Sequence, residues 1–436
     1  MKKTIFALAT GNNLSAISII RISGNDCKNI VKKLTLRPLP QERVLTLRNF
    51  YFPDKKNFLI DTCLVAWMPH PKSYTGEDSL EIYCHGGRAV FEKFYQALIS
   101  FHNVCYAEQG EFTKRAIVNG KMNLVKAEAI NDLINAETEK QRFLATKQLN
   151  NELSSHIKNW RIELLNCMAL VEAVIDFPDE EDAPNKLNIS KNLKFLQLEI
   201  KKTLKNKSCY ELIKEGLKVV LTGKPNVGKS SLFNYIIKKN KSIVSNIPGT
   251  TRDVIEAKIN LKGYPVIIFD TAGINNSNNL IEKEGIKRAL KVVKEADIVL
   301  NIYDSNEINI IDKDEDCWHI INKIDKVNGI NIKSDKLLKV SAKTGQGIDE
   351  LMEKIHLKLQ KNSKNLENYD SLISNIRQTK ELESALVNIK QAIKENSEEI
   401  VSEHLREANR NLGRILGNID IEEVLGNIFS SFCIGK

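Results

Sequence analysis

The stretch Gly223-Lys224-Pro225-Asn226-Val227-Gly228-Lys229-Ser230 decides the fold of one part of this chain, because it reads G-x-x-x-x-G-K-S. It follows the apolar run LKVVLT at 217–222 and precedes SLFNYIIKK, a segment with helical character. A strand, a glycine-rich loop and a helix in this order form a P-loop, whose N–H groups bind phosphates. Lys229 is predicted to contact the β- and γ-phosphates, and the Ser230 hydroxyl is predicted to bind Mg²⁺.

A second motif, Asn322-Lys323-Ile324-Asp325, reads N-K-x-D and is predicted to select the base. The Asp325 carboxylate can accept hydrogen bonds from N1–H and the exocyclic amine of guanine. Adenine has no donor at N1 and would leave this carboxylate without its partners. Ser341-Ala342-Lys343, after the run LLKV, completes the predicted base pocket. The two motifs together predict a guanine nucleotide.

Two segments between these motifs are predicted to contact Mg²⁺ and the γ-phosphate. Asp270-Thr271-Ala272-Gly273 ends the apolar run VIIFD; Asp270 would bind Mg²⁺ through water, and the Gly273 N–H would contact the γ-phosphate. The loop GTTRD at 249–253 contains Thr251, the candidate second hydroxyl ligand of Mg²⁺. These segments correspond to the switch regions of a GTPase.

Ile274 directly follows Gly273 of the D-T-A-G motif. At this position many small GTPases have a glutamine that orients the attacking water. An isoleucine side chain cannot form hydrogen bonds, so another group must position the water and stabilise the developing charge. A monovalent cation can supply that charge. The Asn226 side chain and the backbone carbonyls of the loop at 245–250 are its candidate ligands.

Composition indicates a soluble globular protein of two to three domains, since 42% of the 436 residues are hydrophobic and 27% are charged. The net charge of +9 suits an RNA partner, although lysine richness can equally reflect genome composition. The eight cysteines show no C-x-x-C spacing, which predicts a reducing, cytoplasmic location without a zinc cluster or disulfides. No segment approaches the length of a membrane span, so no membrane partner is expected.

The pattern of strands and helices predicts a multidomain chain. Short β-like runs mixed with helical ones indicate a small α+β domain at 1–118. Helical patterns occupy 119–215 and 361–436, on either side of an α/β P-loop GTPase domain at 216–360. We expect the helical regions to pack together as one discontinuous α-helical domain with the GTPase domain inserted; two separate helical hairpins are the alternative. The first apolar stripe predicts one long amphipathic helix and consists of Leu149, Leu153, Ile157, Trp160, Leu164, Met168, Val171 and Val174; the second consists of Leu382, Leu386, Ile389 and Ile393.

Four segments outside the GTPase motifs carry a family resemblance. They are PKSYTGEDSLEIYCHGG (71–87), GEFTKRAIVNGKMNLVKAEAINDLINAET (110–138), EAVIDFPDEED (172–182) and SSFCIGK (430–436). With them the chain resembles, from end to end, the MnmE (TrmE) family of tRNA-modification GTPases. The GTPase motifs are shared with many relatives, whereas these flanks are specific to this family.

The resemblance implies a cytosolic homodimer built through the N-terminal domains. It also implies a complex with MnmG, a partner that uses FAD and NADH, which together install an aminomethyl-type group at C5 of the wobble uridine of certain tRNAs. A tetrahydrofolate derivative such as 5-formyltetrahydrofolate supplies the one-carbon unit in this family, so the N-terminal domain is expected to be folate-binding. The residues that match the family's folate contacts are Arg21, Glu81, Lys121 and Lys436.

The resemblance further implies a K⁺ ion beside the nucleotide, bound by Asn226, Ser245, Ile247 and Thr250. Glu282 matches the carboxylate that orients water; a solvated glutamate at a helix start is the alternative. Glu282 and Lys229 are thus the predicted catalytic residues. The predicted nucleotide contacts are Asn226, Val227, Gly228, Lys229, Ser230, Ser231, Ser245, Asn246, Ile247, Pro248, Gly249, Thr250, Thr251, Asp270, Thr271, Ala272, Gly273, Asn322, Lys323, Asp325, Ser341, Ala342 and Lys343.

A second function remains possible on the motifs alone: a GTP-dependent assembly switch with RNA-binding flanks, of the ribosome-biogenesis type. The chain has no second set of GTPase motifs and no G-x-x-G loop in a basic segment after the GTPase domain. The terminal CIGK at 433–436 and the N-terminal segments favour the tRNA-modification function.

Overall fold

The computed structural model describes residues 3–11, 14–53, 58–150, 152–176, 186–205, 207–239, 255–271, 291–306, 317–327, 337–363, 373, 375–418, 432 and 435. The chain divides into two compact units, Met1–Asn131 with Asn409–Lys436, and Asp132–Ala408. Among the described helices, none combines the length and apolar character that a membrane span requires.

The first unit contains a six-stranded sheet in the order β3-β4-β5-β2-β1-β6. Neighbouring strands are antiparallel except β1 and β6, which are parallel. The strands are β1 Thr4–Leu8, β2 Ser15–Ser23, β3 Thr46–Tyr51, β4 Leu59–Met68, β5 Ser79–Gly86 and β6 Val104–Tyr106. The helices are α1 Cys27–Thr35, α2 Arg88–Ile99, α3 Glu111–Val118 and α4 Leu124–Ile134.

Alternation along β2, β3, β4 and β5 places the main core on one face of the sheet, whereas β1 is buried on both faces. In β2, Ile20 and Ile22 are buried against the apolar residues of α1 and α2. On the opposite face, Ile17 of β2 is 61% exposed and Leu47 of β3 is 63% exposed. Leu47 pairs with Leu64 of β4, which is also exposed. Part of this second face is therefore apolar and open to solvent.

Helices dominate the second unit on both sides of the GTPase region in sequence. They are α5 Glu139–Leu149, α6 Glu152–Asp176, α7 Lys186–Leu204 and α8 Lys207–Glu215, followed after the GTPase region by α11 Ile376–Lys394 and α12 Glu398–Leu416, which continues into the first unit. α7 packs on α6 and on α11. The helical segments that flank the GTPase region are therefore in direct contact, as expected from their apolar stripes.

The stripe predicted from Leu149 to Val174 is not one continuous helix. α5 ends at Leu149, with Asn150 as its C-cap, and α6 begins at Glu152. α5 begins at a capping box formed by Thr138 and Gln141. It ends at Asn150, whose backbone N–H donates to the carbonyls of Lys147 and Gln148 in place of a regular helical bond. Within α6 the stripe is confirmed by the burial of Leu153, Ile157, Trp160, Leu164 and Val171.

The GTPase region is a mainly parallel sheet in the order β12-β11-β10-β7-β9-β8, with only β8 antiparallel to its neighbour among the described strands. The strands are β7 Leu217–Thr222, β8 Ile255–Leu261, β9 Tyr264–Asp270, β10 Ile298–Asp304, β11 Trp318–Asn322 and β12 Leu337–Lys339; the helices are α9 Lys229–Lys239 and α10 Ile348–Ser363. Their buried faces form one apolar core. The predicted fold class, an α+β N-terminal domain with a helical domain and an α/β P-loop domain, is confirmed.

Candidate nucleotide-binding site

The parallel strands bring the predicted motifs to one edge of the sheet. In the strand register, Leu221 of β7 pairs with Asp270 of β9, and Asp304 of β10 pairs with Asn322 of β11. β7 lies between β9 and β10, so the chain leaves β7 at the point where the strand order reverses. The crevice outside the carboxyl ends of such strands is the usual ligand site of α/β sheets.

The P-loop requires glycine at positions 223 and 228, because neighbouring atoms leave no room for a side chain there. Gly223 has φ of +135° and Gly228 has φ of +96°, conformations that side chains rarely adopt. A Cβ atom at position 223 would clash with the carbonyl oxygen of Ile302 in β10. A Cβ atom at position 228 would clash with Nδ2 of Asn322. The loop can therefore lie flat against the sheet edge only with glycine at both positions.

Lys229, the first residue of α9, is buried. Its Nζ donates to the carbonyl oxygens of Gly223 at 2.9 Å and Lys224 at 2.8 Å, so the ammonium lies inside the loop. Burial lowers the pKa of this ammonium, and the nearby Asp270 carboxylate acts in the opposite direction. A bound polyphosphate would offer charged acceptors, which form stronger hydrogen bonds than backbone carbonyls.

Two described side chains suit a magnesium ion. Ser230 is exposed in the first turn of α9, and Asp270 is buried at the end of β9. Mg²⁺ prefers oxygen ligands and is commonly bound by one or two protein groups together with substrate phosphates. Among the described residues, no group of three or more His, Cys, Asp or Glu side chains could hold a metal. The donors therefore fit Mg²⁺ bound together with a phosphate.

Asn322 joins the phosphate loop to the base pocket. Its Nδ2 donates to the carbonyl of Val227 at 2.9 Å, and its Oδ1 accepts from the backbone N–H of Ala342 at 3.0 Å. The side chain is fully buried, and these bonds satisfy both ends of its amide. The first residue of N-K-x-D thus holds the two halves of the site together.

Asp325 is oriented by the predicted Ser341. The Ser341 hydroxyl donates to Oδ1 of Asp325 at 2.6 Å, and the same Oγ accepts the N–H of Thr344 at 3.1 Å. The hydrogen bond from Ser341 holds the pKa of the Asp325 carboxyl below its ordinary value, so this exposed group remains ionised at neutral pH. An oriented carboxylate facing solvent is what guanine recognition requires.

Lys323 contacts a residue that sequence reasoning missed. Its Nζ donates to Oδ2 of Asp304 at 2.7 Å and to the Asn226 carbonyl at 2.6 Å. Asp304 ends the apolar run IVLNIYD, just as Asp270 ends VIIFD. A signal for Asp304 was therefore present in the sequence: an acidic residue at the carboxyl end of a predicted parallel strand.

The remaining predicted nucleotide contacts are either placed near the same sheet edge or lie outside the described residues. Thr271 donates its hydroxyl to the Leu221 carbonyl at 2.7 Å, and Ser231 and Lys343 are exposed at the same sheet edge. Several predicted site residues lie outside the described residues and stay predictions: Ser245, Asn246, Ile247, Pro248, Gly249, Thr250, Thr251, Ala272, Gly273, Glu282 and Lys436, together with Ile274.

In the N-terminal unit, the structure brings together two of the residues assigned to folate. Arg21 and Glu81 are register partners in β2 and β5, and Nη2 and Nε of Arg21 donate to one Glu81 oxygen at 2.8 and 3.0 Å. The Arg21 guanidinium also lies 5.2 Å from the Tyr74 ring centre and 3.5 Å from the Gly435 carbonyl. Lys121 instead donates to the Pro71 carbonyl at 2.8 Å.

The fold and the site define the class: a P-loop GTPase, with an N-K-x-D motif at the same edge of the sheet as the P-loop. Two family models match the chain, the MnmE helical domain over residues 124–433 and the GTP-binding protein TrmE N-terminus over residues 4–121. The tRNA modification GTPase MnmE of Pelagibacter ubique is 43% identical over 446 residues, covering 99% of this chain and 100% of that protein. The Rickettsia rickettsii MnmE is 38% identical, with 100% of both chains covered.

This chain belongs to the MnmE family of tRNA modification GTPases. Among solved structures, the G domain of the T. maritima FeoB iron transporter is 29% identical, covering 33% of this chain and 98% of its own, with a TM-score of 0.26. The family assignment rests on the full-length relatives.

Proposed function

We propose that this chain is a K⁺-dependent GTPase that converts GTP to GDP and phosphate. With MnmG, it adds a carboxymethylaminomethyl or aminomethyl group to C5 of the wobble uridine of certain tRNAs in the cytoplasm. The proposal of GTP binding rests on the Asn322 side chain, which is hydrogen-bonded both to Val227 of the P-loop and to Ala342 beside the Asp325 pocket. We propose domain boundaries at 1–118, 119–215, 216–360 and 361–436.

In this proposal the P-loop residues bind and orient the γ-phosphate. Lys229 exchanges its loop carbonyls for phosphate oxygens, and the preorganised N–H groups at the start of α9 stabilise negative charge. Ser230 would hold Mg²⁺ directly and Asp270 would hold it through water, with Thr251 as the proposed second hydroxyl ligand. When bound, the ion would supply positive charge to the phosphate oxygens. Glu282 orients the attacking water, because Ile274 cannot.

The K⁺ ion would take the place of an arginine finger. Its proposed ligands are the Asn226 side chain with Ser245, Ile247 and Thr250. Asn226 is exposed at the loop, and its φ of +62° places it in the left-handed region, which asparagine tolerates better than most residues. This conformation turns the backbone sharply immediately before Val227 and Gly228, and so supports the assignment of Asn226 to a special role.

GTP hydrolysis is expected to be at least about tenfold faster in KCl than in NaCl at equal ionic strength, because a cation of the right size stabilises transition-state charge. Phosphate release at saturating GTP measures this ratio. Asn226→Ala should reduce the ratio to near one, while Asn192→Ala, on the exposed face of α7, should keep it. Equal rates of the unmodified protein in the two salts would refute the role of K⁺.

The tRNA part is tested in cells. Deleting the gene should remove the modified wobble uridines, as measured by mass spectrometry of purified tRNA nucleosides. The unmodified chain should restore them, and Lys229→Ala should not, since the modification is proposed to need GTP hydrolysis. Normal wobble uridines in the deletion strain, together with defective ribosomal subunits, would favour the assembly-switch function instead.

The proposed homodimer is supported by the open face of the N-terminal sheet. Ile17, Leu47 and Leu64 expose apolar side chains there. Arg21 and Glu81 lie on the same face, because they alternate with the buried residues of β2 and β5. Leu47 and Leu64 are register partners on adjacent strands, and exposed apolar side chains that lie together are typical of an interface. A second N-terminal domain would cover it close to the proposed folate residues.

We propose that 5-formyltetrahydrofolate binds beside Arg21, Glu81, Lys121 and Lys436. The Arg21–Glu81 ion pair already satisfies both charges, so the ligand must compete with it or add to it. The 3.5 Å approach of the Gly435 carbonyl to Arg21 supports the inclusion of Lys436, the next residue.

Calorimetric titration of the full chain with 5-formyltetrahydrofolate is expected to show binding. Arg21→Ala should weaken it about tenfold or more, because charge-assisted hydrogen bonds contribute strongly. Arg88→Ala is the matched control, since Arg88 forms an ion pair with Glu92 on the exposed surface of α2. No measurable heat at millimolar ligand would show that this chain lacks the folate site.

A further inference from the structure

Asp304 belongs to none of the motifs identified in the sequence, yet it contacts the lysine of N-K-x-D. It ends β10 and is the register partner of Asn322. Its Oδ2 accepts from Lys323 at 2.7 Å, and its Oδ1 accepts the backbone N–H of Asn306 at 3.2 Å. The carboxylate is therefore fixed by its own loop and aimed at the lysine of N-K-x-D.

Lys323 connects Asp304 to the P-loop through its side chain. The same ammonium that contacts Asp304 donates to the Asn226 carbonyl at 2.6 Å. Its backbone is held as well, because the buried Ser305 hydroxyl donates to the Lys323 carbonyl at 3.1 Å. The Ser305 N–H donates to the Asn322 carbonyl at 3.0 Å. The end of β10 thus fixes both the main chain and the side chain of Lys323.

Lys323 and Asn226, which are joined by the 2.6 Å hydrogen bond, both have unusual backbone conformations. Lys323 has φ of +63° and Asn226 has φ of +62°, in the left-handed region. Only five non-glycine residues among those described have positive φ, and these two are bonded to each other. Such conformations cost free energy and persist where surrounding contacts hold them, most often at functional sites.

We propose that Asp304 is a positioning residue that, through Lys323, holds Asn226 in the conformation needed for nucleotide binding and K⁺-dependent hydrolysis. The K⁺ part of this inference rests on the function proposed above. Without the carboxylate, the Lys323 ammonium loses its charged partner and is free to turn toward solvent. The Asn226 carbonyl then loses its donor, and the loop samples conformations in which the potassium ligand points elsewhere.

The test compares Asp304→Asn with Asp349→Asn in the full chain. Asp349 is an equivalent control, because its carboxylate forms a 2.6 Å ion pair with Lys239 in the same domain, on its exposed surface. Three quantities are measured: the melting temperature without nucleotide, the Kd for GDP with Mg²⁺ and no K⁺, and the K⁺ concentration for half-maximal GTPase activity at constant ionic strength. A merely structural role would not shift the last quantity in the folded fraction.

Asp304→Asn is expected to raise the Kd for GDP and the half-maximal K⁺ concentration by about tenfold each, the scale of one charge-assisted hydrogen bond. Asp349→Asn should change neither by more than about twofold, as exposed pairs contribute little. Unchanged values in Asp304→Asn would overturn the proposal. If the unmodified protein shows no K⁺ stimulation, the proposed K⁺ function fails, and the GDP affinity alone decides the role of Asp304.

A double-mutant cycle with Lys323→Met tests whether Asp304 acts on Asn226 through Lys323. Methionine keeps the apolar stem of the lysine and removes the ammonium. In this background Asp304→Asn should have almost no further effect on GDP affinity, because its partner is gone. Additive effects of the two substitutions would show that Asp304 acts without Lys323 and would overturn the proposed relay.

Discussion

Asp325→Asn is expected to change the preferred nucleotide from GTP to xanthosine triphosphate. Xanthine has a carbonyl where guanine has its amine, so the asparagine amide can donate to it while its oxygen still accepts from Ser341. We expect GTP affinity to fall about 10²-fold, since two hydrogen bonds to a charged group are lost, and affinity for the xanthine nucleotide to rise by a similar factor.

Competition binding with a fluorescent nucleotide measures both affinities. Asp349→Asn, which removes an exposed carboxylate paired with Lys239 in the same domain, should leave both unchanged. Unaltered GTP affinity in Asp325→Asn would place the base elsewhere in the molecule.

Gly228→Ala is expected to lower GTP and GDP affinity about 10²-fold or more. The new Cβ would clash with Nδ2 of Asn322, and Asn322 cannot yield without breaking its bonds to Val227 and Ala342. Backbone strain adds to the loss, because φ at this position is +96°. Calorimetry with GDP and thermal unfolding measure the two effects.

Gly263→Ala is a control for alanine at a positive φ outside the P-loop, in the turn between β8 and β9. Gly263 has a similar φ of +92°, but the nearest atoms to an added Cβ are 3.9 Å away, in ordinary contact. This variant should lose stability on the order of 1 kcal/mol or more, as alanine at positive φ does, and should bind nucleotide within about twofold of the unmodified protein. Equal nucleotide affinities of the two alanine variants would show that the Asn322 contact is unimportant.

Local patterns predicted the individual elements well. LKVVLT at 217–222 coincides with β7, and SLFNYIIKK lies within α9. Such agreement is expected where a buried parallel strand gives a continuous apolar run and where the loop that follows requires glycine. The break between α5 and α6 was missed, because the apolar stripe continues across it and the end of α5 at Asn150 leaves no signal in that stripe.

Contacts between distant segments explain what the patterns could not predict. Asp304 and Lys323 are 19 positions apart, and Lys323 and Asn226 are 97 apart. Their meeting depends on the order β11-β10-β7 in the sheet. Arg21 and Glu81 were assigned to the same ligand by family resemblance, but their direct pairing follows from the register of β2 and β5. Neither the strand order nor the register can be read from one segment alone.

The sequence by itself determined the family of this protein through its flanking segments, and it predicted the chemistry of the site: a glycine-rich loop for phosphates and an aspartate for guanine. Only the tertiary structure decided how these groups are held. Asn322 bridges the loop to the base pocket, and Asp304 fixes Lys323 against Asn226. The physical reason is that donors and acceptors are properties of single residues, whereas their positions are set by strand packing, which brings together segments far apart in the chain.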